Sequence, residues 1–239
     1  MSNKIGFGRD PKEFLTKLGC GDSDRPLDDF GVSITSISAA GGEKVTVKVL
    51  VSNPSGREEI EFTVMDNHAE EMGLEIGAID EELLPELEYY SEVARAYSSA
   101  CSSFAFAPSS YMSLKNKLVQ KGFSRDVCDD AINCLKLRGF VKEDEIALRR
   151  AQILVEKHWG RQRILIKLRE EGFTNEALDS ALTFLDSVDF TLSCAKLIQK
   201  KYGAIPSDKS EFDRMYASLT RMGYSGSVIR AAVRSLLEE

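Results

Sequence analysis

Glycine recurs at positions 122, 172 and 223, at intervals of 50 and 51 residues, inside the same short pattern each time. The three copies read LVQKGFSRDVCDDAINCL from Leu118, LREEGFTNEALDSALTFL from Leu168 and LTRMGYSGSVIRAAVRSL from Leu219. At a glycine usage of about 7%, two further matches to one chosen glycine arise by chance about once in 200. The matched leucine, aromatic, Ser/Thr and alanine positions lower that further. A chain with such an internal repeat is built from stacked copies of one supersecondary unit.

The chemistry of the unit follows from its residues. A helix stops at glycine, which takes the left-handed backbone without a Cβ penalty. The aromatic after it (Phe123, Phe173, Tyr224) can tuck under the corner, and Ser124, Thr174 and Ser225 can cap the next helix. Val127, Ala131 and Leu135 then form one apolar stripe, with alanine allowing close helix approach. A third helix is expected over Asp144–His158 and Phe190–Tyr202. The expected architecture is mainly α: three-helix repeats at 109–158 and 159–206, a two-helix partial repeat at 207–239, and an elongated, curved array overall.

The rest of the chain reads differently. Residues 1–31 hold five glycines and two prolines with no sustained apolar period, and disorder is expected there. Residues 32–108 form an N-terminal module. VSITSIS, VTVKVLV and EIEFTV alternate at period two, with Gly41-Gly42 and Asn53-Pro54-Ser55-Gly56 between them, which predicts a three-stranded antiparallel meander. One apolar face on three strands needs a cover. Helices over Asp66–Gly73 and Asp80–Phe106 can supply it, with Pro85 early enough in the second to be tolerated.

Several function classes are excluded on this reading. There is no apolar run of about 18 residues for a membrane helix, and the N-terminus has no secretory h-region. Five cysteines form no CxxC pair and read as reduced thiols of a cytoplasmic protein. Two histidines cannot complete a hydrolase or zinc motif, and no glycine-rich phosphate loop is present. Asp80-Glu81-Glu82 reads as a helix start, His158 beside Trp159 as a cap or packing residue, and Cys128 as a small buried hydrophobe. No enzyme, metal or cofactor is expected.

The net charge of −7 hides an asymmetry: residues 1–108 carry 9 basic and 20 acidic side chains, and 109–239 carry 22 and 18. Between Ile146 and Arg169, seven basic residues meet one acid, Glu156. Arg163 and Lys167 stand four apart and share a helix face. Charge runs are usually only solvated faces.

The C-terminal pattern resembles the RecX family of bacterial regulatory proteins. Ser110, Leu114, Lys117, Leu118, Lys121, Gly122 and Phe123 are similar to its first-repeat signature, Ser-x-x-Glu-Leu-x-x-Lys-Leu-x-x-Lys-Gly-Phe. The segments Arg138–Ala147, Gly160–Phe173 and Leu219–Ser225 resemble its later motifs. The meander with Ile79-Asp80 and Leu83 looks like longer members from Gram-positive lineages. There are two departures: Ala105-Phe106 stand where the family has Arg-Arg, and Ser113 where it has Glu.

The resemblance implies a non-enzymatic regulator that lies along the RecA–single-stranded-DNA filament and inhibits its growth and activities, in recombination and the SOS response. The residues expected to meet RecA or DNA are Arg149, Arg150, Arg161, Arg163, Lys167 and Arg169, with Lys117 and Lys121 in the first repeat. Weak DNA binding, no membrane and a monomer complete the expectation. The alternatives are a helical-repeat protein that binds nucleic acid directly and a generic helical adaptor.

Overall fold

The computed structural model of the chain describes residues 31–53 and 56–238. The expectation of disorder for 1–31 lies outside the described residues, apart from Gly31. Those described form four strands and ten helices, and none of the helices is long and apolar enough to cross a membrane. They cluster into two compact units. One holds the described residues up to Ser102 together with Lys117–Arg138, and the other holds Ser103–Asn116 and the described residues from Gly139 onward.

In the first unit β1 (Gly31–Ala39), β2 (Lys44–Asn53) and β3 (Gly56–Met65) form the expected antiparallel meander. The strand order is β3-β2-β1-β4. The fourth strand, β4 (Gly77–Ala78), was not expected. It pairs two residues with Ser33 and Ile34 of β1, too few to leave an alternating pattern. Val47, Val49 and Val51 are buried on one face at the strand period of two. On β1 the apolar residues Ile34 and Ile37 are three apart, so strict alternation would place them on opposite faces. A bulge between Ile34 and Ser36 restores the match, pairing Ile34 with Val49 and Ile37 with Val47.

Two helices complete this side of the chain. They are α1 (Asp66–Glu71) and α2 (Leu83–Phe106), whose Leu84 and Leu87 close over the buried strand face. Next come α3 (Tyr111–Gln120) and α4 (Arg125–Leu137). Arg138, just past α4, is clamped by Glu43 and by Asp66, whose Oδ1 accepts from Nη2 at 2.6 Å. Its guanidinium also faces the Tyr97 ring at 5.7 Å. These contacts tie α4 to the sheet, so the second helix of the first repeat belongs to the sheet-bearing unit.

The second unit contains α5 (Glu143–Glu156), α6 (Arg161–Glu170), α7 (Asn175–Ser187), α8 (Phe190–Tyr202), α9 (Lys209–Arg221) and α10 (Gly226–Glu238). The three-three-two count of repeat helices is as the sequence predicts. Gly122, Gly172 and Gly223 take φ of 96°, 83° and 91°. Ser124, Thr174 and Ser225 each accept a hydrogen bond from the amide three residues on, at 3.3 Å. Phe173 and Tyr224 are buried under their corners. The third helix of one copy packs on the second helix of the next, α5 on α7 and α8 on α10. The alanines Ala147, Ala151, Ala177 and Ala181 lie buried in that core.

The copies also join at their corners. The glycine corner of copy two sits on the start of copy one: Ser110 Oγ donates to the Glu171 carbonyl at 2.5 Å, and Gly172 lies against Met112. The corner of copy three sits on the start of copy two, where the Gly160 amide donates to the Met222 carbonyl at 2.8 Å. The seat residue, 12 positions before the corner glycine, is therefore small in both joints, Ser110 and Gly160. At the third copy it is Glu211, which is exposed and too large to receive another corner.

Candidate functional site

The start of α6 and the end of α9 border a groove of about 420 Å³ in the second unit. Its charged lining is Arg163, Lys167, Arg221 and Glu170. The spacing of Arg163 and Lys167 puts both on the outer face of α6, because Ile164, Leu165 and Leu168 turn inward. Arg163 is held in place. Its guanidinium lies 4.0 Å from the Trp159 ring centroid, and Nη1 donates to the Arg221 carbonyl at 3.4 Å. Lys167 is looser, with Nζ 3.8 Å from Glu170 and 3.7 Å from Glu171. Arg221 is exposed and forms no ion pair among the described residues. Three cations against one lining carboxylate can receive a phosphate or carboxylate oxygen.

The other expected residues divide between structural and free roles. Arg150 grips Glu171 through Nε at 3.0 Å and Nη2 at 2.7 Å, and this bond raises its pKa. Glu171 is the residue whose carbonyl receives Ser110, so Arg150 reinforces a joint between copies. Arg161 pairs with Asp186 at 2.6 Å. Arg149 and Arg169 are exposed and form no ion pair among the described residues. In the first unit, Lys121 Nζ donates to Ser99 Oγ at 2.7 Å, and Lys117 is half-buried on α3. The structure thus brings Arg163 and Lys167 together and does not gather the rest of the set into that groove.

Sequence reasoning missed Arg221, which is isolated from the basic run. The repeat register carries its only signal: it stands two residues before the corner glycine that closes on Arg163. His158 has a backbone role. It takes the left-handed conformation (φ 58°) after α5, and its carbonyl accepts from the Tyr224 hydroxyl at 3.0 Å.

One departure from the family signature is compensated. Ser110 caps α3 by accepting from the Ser113 amide at 3.1 Å. No carboxylate stands at Ser113, but another one serves the same helix start at the next amide: Glu143 Oε1 accepts from the Tyr111 amide at 2.5 Å. Glu143 is buried and also opens α5, so one carboxylate serves two helix starts.

A succession of helix triplets joined corner to start defines a helical-repeat protein, here carrying a small antiparallel sheet and a cationic groove. No family model matches the chain. It is 25% identical over 162 residues to "Regulatory protein RecX" of Clostridium perfringens (strain SM101), covering 66% of this chain and 76% of that protein. It is 28% identical over 127 residues to "Regulatory protein RecX" of Xanthomonas axonopodis pv. citri, covering 53% and 78%. In fold it is similar to the crystal structure of a regulatory protein RecX (TM-score 0.66, 17% identity, 84% of this chain and 98% of the other). RecX from Lactobacillus salivarius is also similar (TM-score 0.53, 16% identity, 62% and 98%). In sequence and in fold the chain is thus similar to RecX regulatory proteins, at modest identity.

Proposed function

We propose that this chain is a cytoplasmic, non-enzymatic regulator of RecA, acting by binding the RecA–single-stranded-DNA filament and inhibiting its growth and activities. The observation that carries the reading is the likeness in sequence and fold to RecX regulatory proteins; the cationic groove of Arg163, Lys167 and Arg221 supports it. Regulation needs no chemistry by the regulator. A protein that binds free and assembled filament unequally shifts the equilibrium by that difference. The groove cations would meet filament carboxylates or DNA phosphates, and contacts of that kind weaken as salt rises.

The test is a titration of the host's RecA ATPase on single-stranded DNA with the full chain added. Dose-dependent inhibition, weaker at higher salt, is the expected result. No change in ATPase or filament length would overturn the reading. Salt-sensitive binding to bare single-stranded DNA without any effect on RecA would favour direct nucleic-acid binding instead.

A further inference from the structure

Helix α5 carries apolar residues beyond the face it buries in the core. Ala147, Ala151 and Leu154 are buried. A neighbouring side presents Arg149 and the half-buried Ile153, flanked by Ile146, whose other edge packs on the core, and an exposed helix face is ordinarily polar. These side chains, with Phe104 from the end of α2 and Phe140 from the loop before α5, line a groove of about 670 Å³. That volume is within the range of sites that enclose a ligand group. Phe140 is 62% exposed, so a large aromatic surface stands open to water at its edge.

The charges along the groove have one sign left over. Lys142 pairs with Glu145 at 3.0 Å, and Arg150 is held by Glu171. Arg149 is exposed, with no ion pair among the described residues. An apolar slot with an unused guanidinium at its rim selects a bulky apolar side chain next to a carboxylate.

We propose that the α5 groove docks an acidic segment of a partner protein: an aromatic or leucine side chain enters between Phe140 and Ile153, and a neighbouring carboxylate pairs with Arg149. A single strand of nucleic acid fits less well. It needs a track of several free cations beside stacking platforms, whereas this groove has one unpaired cation and a largely aliphatic wall. The proposal does not rest on the RecA reading, since a peptide can bind here whether or not the filament is inhibited.

The experiment uses the full chain and a fluorescein-labelled peptide, Gly-Asp-Glu-Phe-Asp-Glu-Leu-Gly, read by anisotropy. Saturable binding is expected, weakened about tenfold or more by Phe140→Ser and by Arg149→Glu. Both residues are exposed, so circular dichroism of the variants should match the parent. Arg234→Glu, an equal charge change on α10, should leave peptide affinity within about twofold. Peptides with Phe and Leu replaced by Ser, or with the acids replaced by Lys, should not bind. No binding, binding indifferent to Phe140 and Arg149, displacement by an equimolar oligothymidylate, or self-association of the chain through this face would each overturn the proposal.

Discussion

A Cβ added to Gly160 would lie 2.2 Å from the carbonyl carbon of Gly223. The two residues stand 63 positions apart in the chain, yet their backbones touch and Gly160 donates its amide to Met222. The contact is reciprocal, because a Cβ on Gly223 would meet Arg163 Cβ at 2.4 Å. The joint between copies two and three is therefore backbone against backbone. The joint between copies one and two is softer: a Cβ on Gly172 meets the Met112 side chain at 2.6 Å.

This grading predicts different costs for one substitution at equivalent corners. Gly122 has positive φ but nothing within 4 Å, so Gly122→Ala should cost only the left-handed conformation, about 1 kcal/mol. Gly223→Ala adds an overpacked backbone contact, and Gly160→Ala has that contact alone; each should cost about 3 kcal/mol. Gly172→Ala should fall between, since the Met112 side chain can move. Urea unfolding of the four variants checks the order, and equal losses at Gly122 and Gly160 would remove the joint as the cause.

Glu143→Ala should unseat the start of α3. It leaves the Tyr111 amide without its carboxylate acceptor, in a buried site, and removes an acid from the first turn of α5. Loss of a helix cap costs about 1–2 kcal/mol. Hydrogen exchange at Tyr111 should quicken in the variant, and Ser113→Glu in the same background should recover part of the loss by completing the local capping pattern. Unchanged exchange would show that Glu143 does not hold that end.

His68 sets a pH dependence in the sheet-bearing unit. Its ring is buried, lies tilted against Tyr90 with the ring centroids 4.3 Å apart, and has Nε2 3.8 Å from Cys134 Sγ. Nδ1 has no hydrogen-bond partner among the described residues. Burial lowers its pKa, partly opposed by Glu71, Asp130 and Asp66. A base with a lowered native pKa binds fewer protons folded than unfolded, so stability rises with pH through that window. His68 should therefore cost stability as pH falls from about 6.5 toward its lower native value. His68→Leu should flatten the unfolding midpoint between pH 7.5 and 5.5; an unaltered slope would assign the dependence elsewhere.

Helix boundaries were legible where local chemistry marks them. Gly172 with Thr174, and Asp189 before Phe190, state where one helix stops and the next begins, and Asp189 does cap α8 by accepting from the Thr191 and Leu192 amides. Features that depend on a distant partner were not legible. Strand β4 exists because β1 offers it two residues to pair with, Arg138 reads as a surface residue until Glu43 and Asp66 close on it, and Glu143 reads as an ordinary first-turn acid. In the candidate site, Arg163 and Lys167 followed from helical spacing. Arg221 did not, and Arg150 reads as a free cation although Glu171 consumes it.

That last division separates two kinds of arginine by experiment. Lys167→Glu and Arg221→Glu alter exposed or half-exposed charges whose ion pairs are long or absent among the described residues. If the chain inhibits RecA as proposed, each should weaken that inhibition of the ATPase several-fold, with the unfolding midpoint unchanged. Arg150→Ala should do the reverse. It breaks a bidentate pair at a joint between copies, costing about 1 kcal/mol after solvent screening, and leaves the cationic groove untouched. Arg163→Glu should do both, because its stem lies on Gly223 and its guanidinium on Trp159. A swap of these outcomes, with Arg150 needed for inhibition and Lys167 and Arg221 dispensable, would move the contact surface off this groove even if the chain still inhibited RecA.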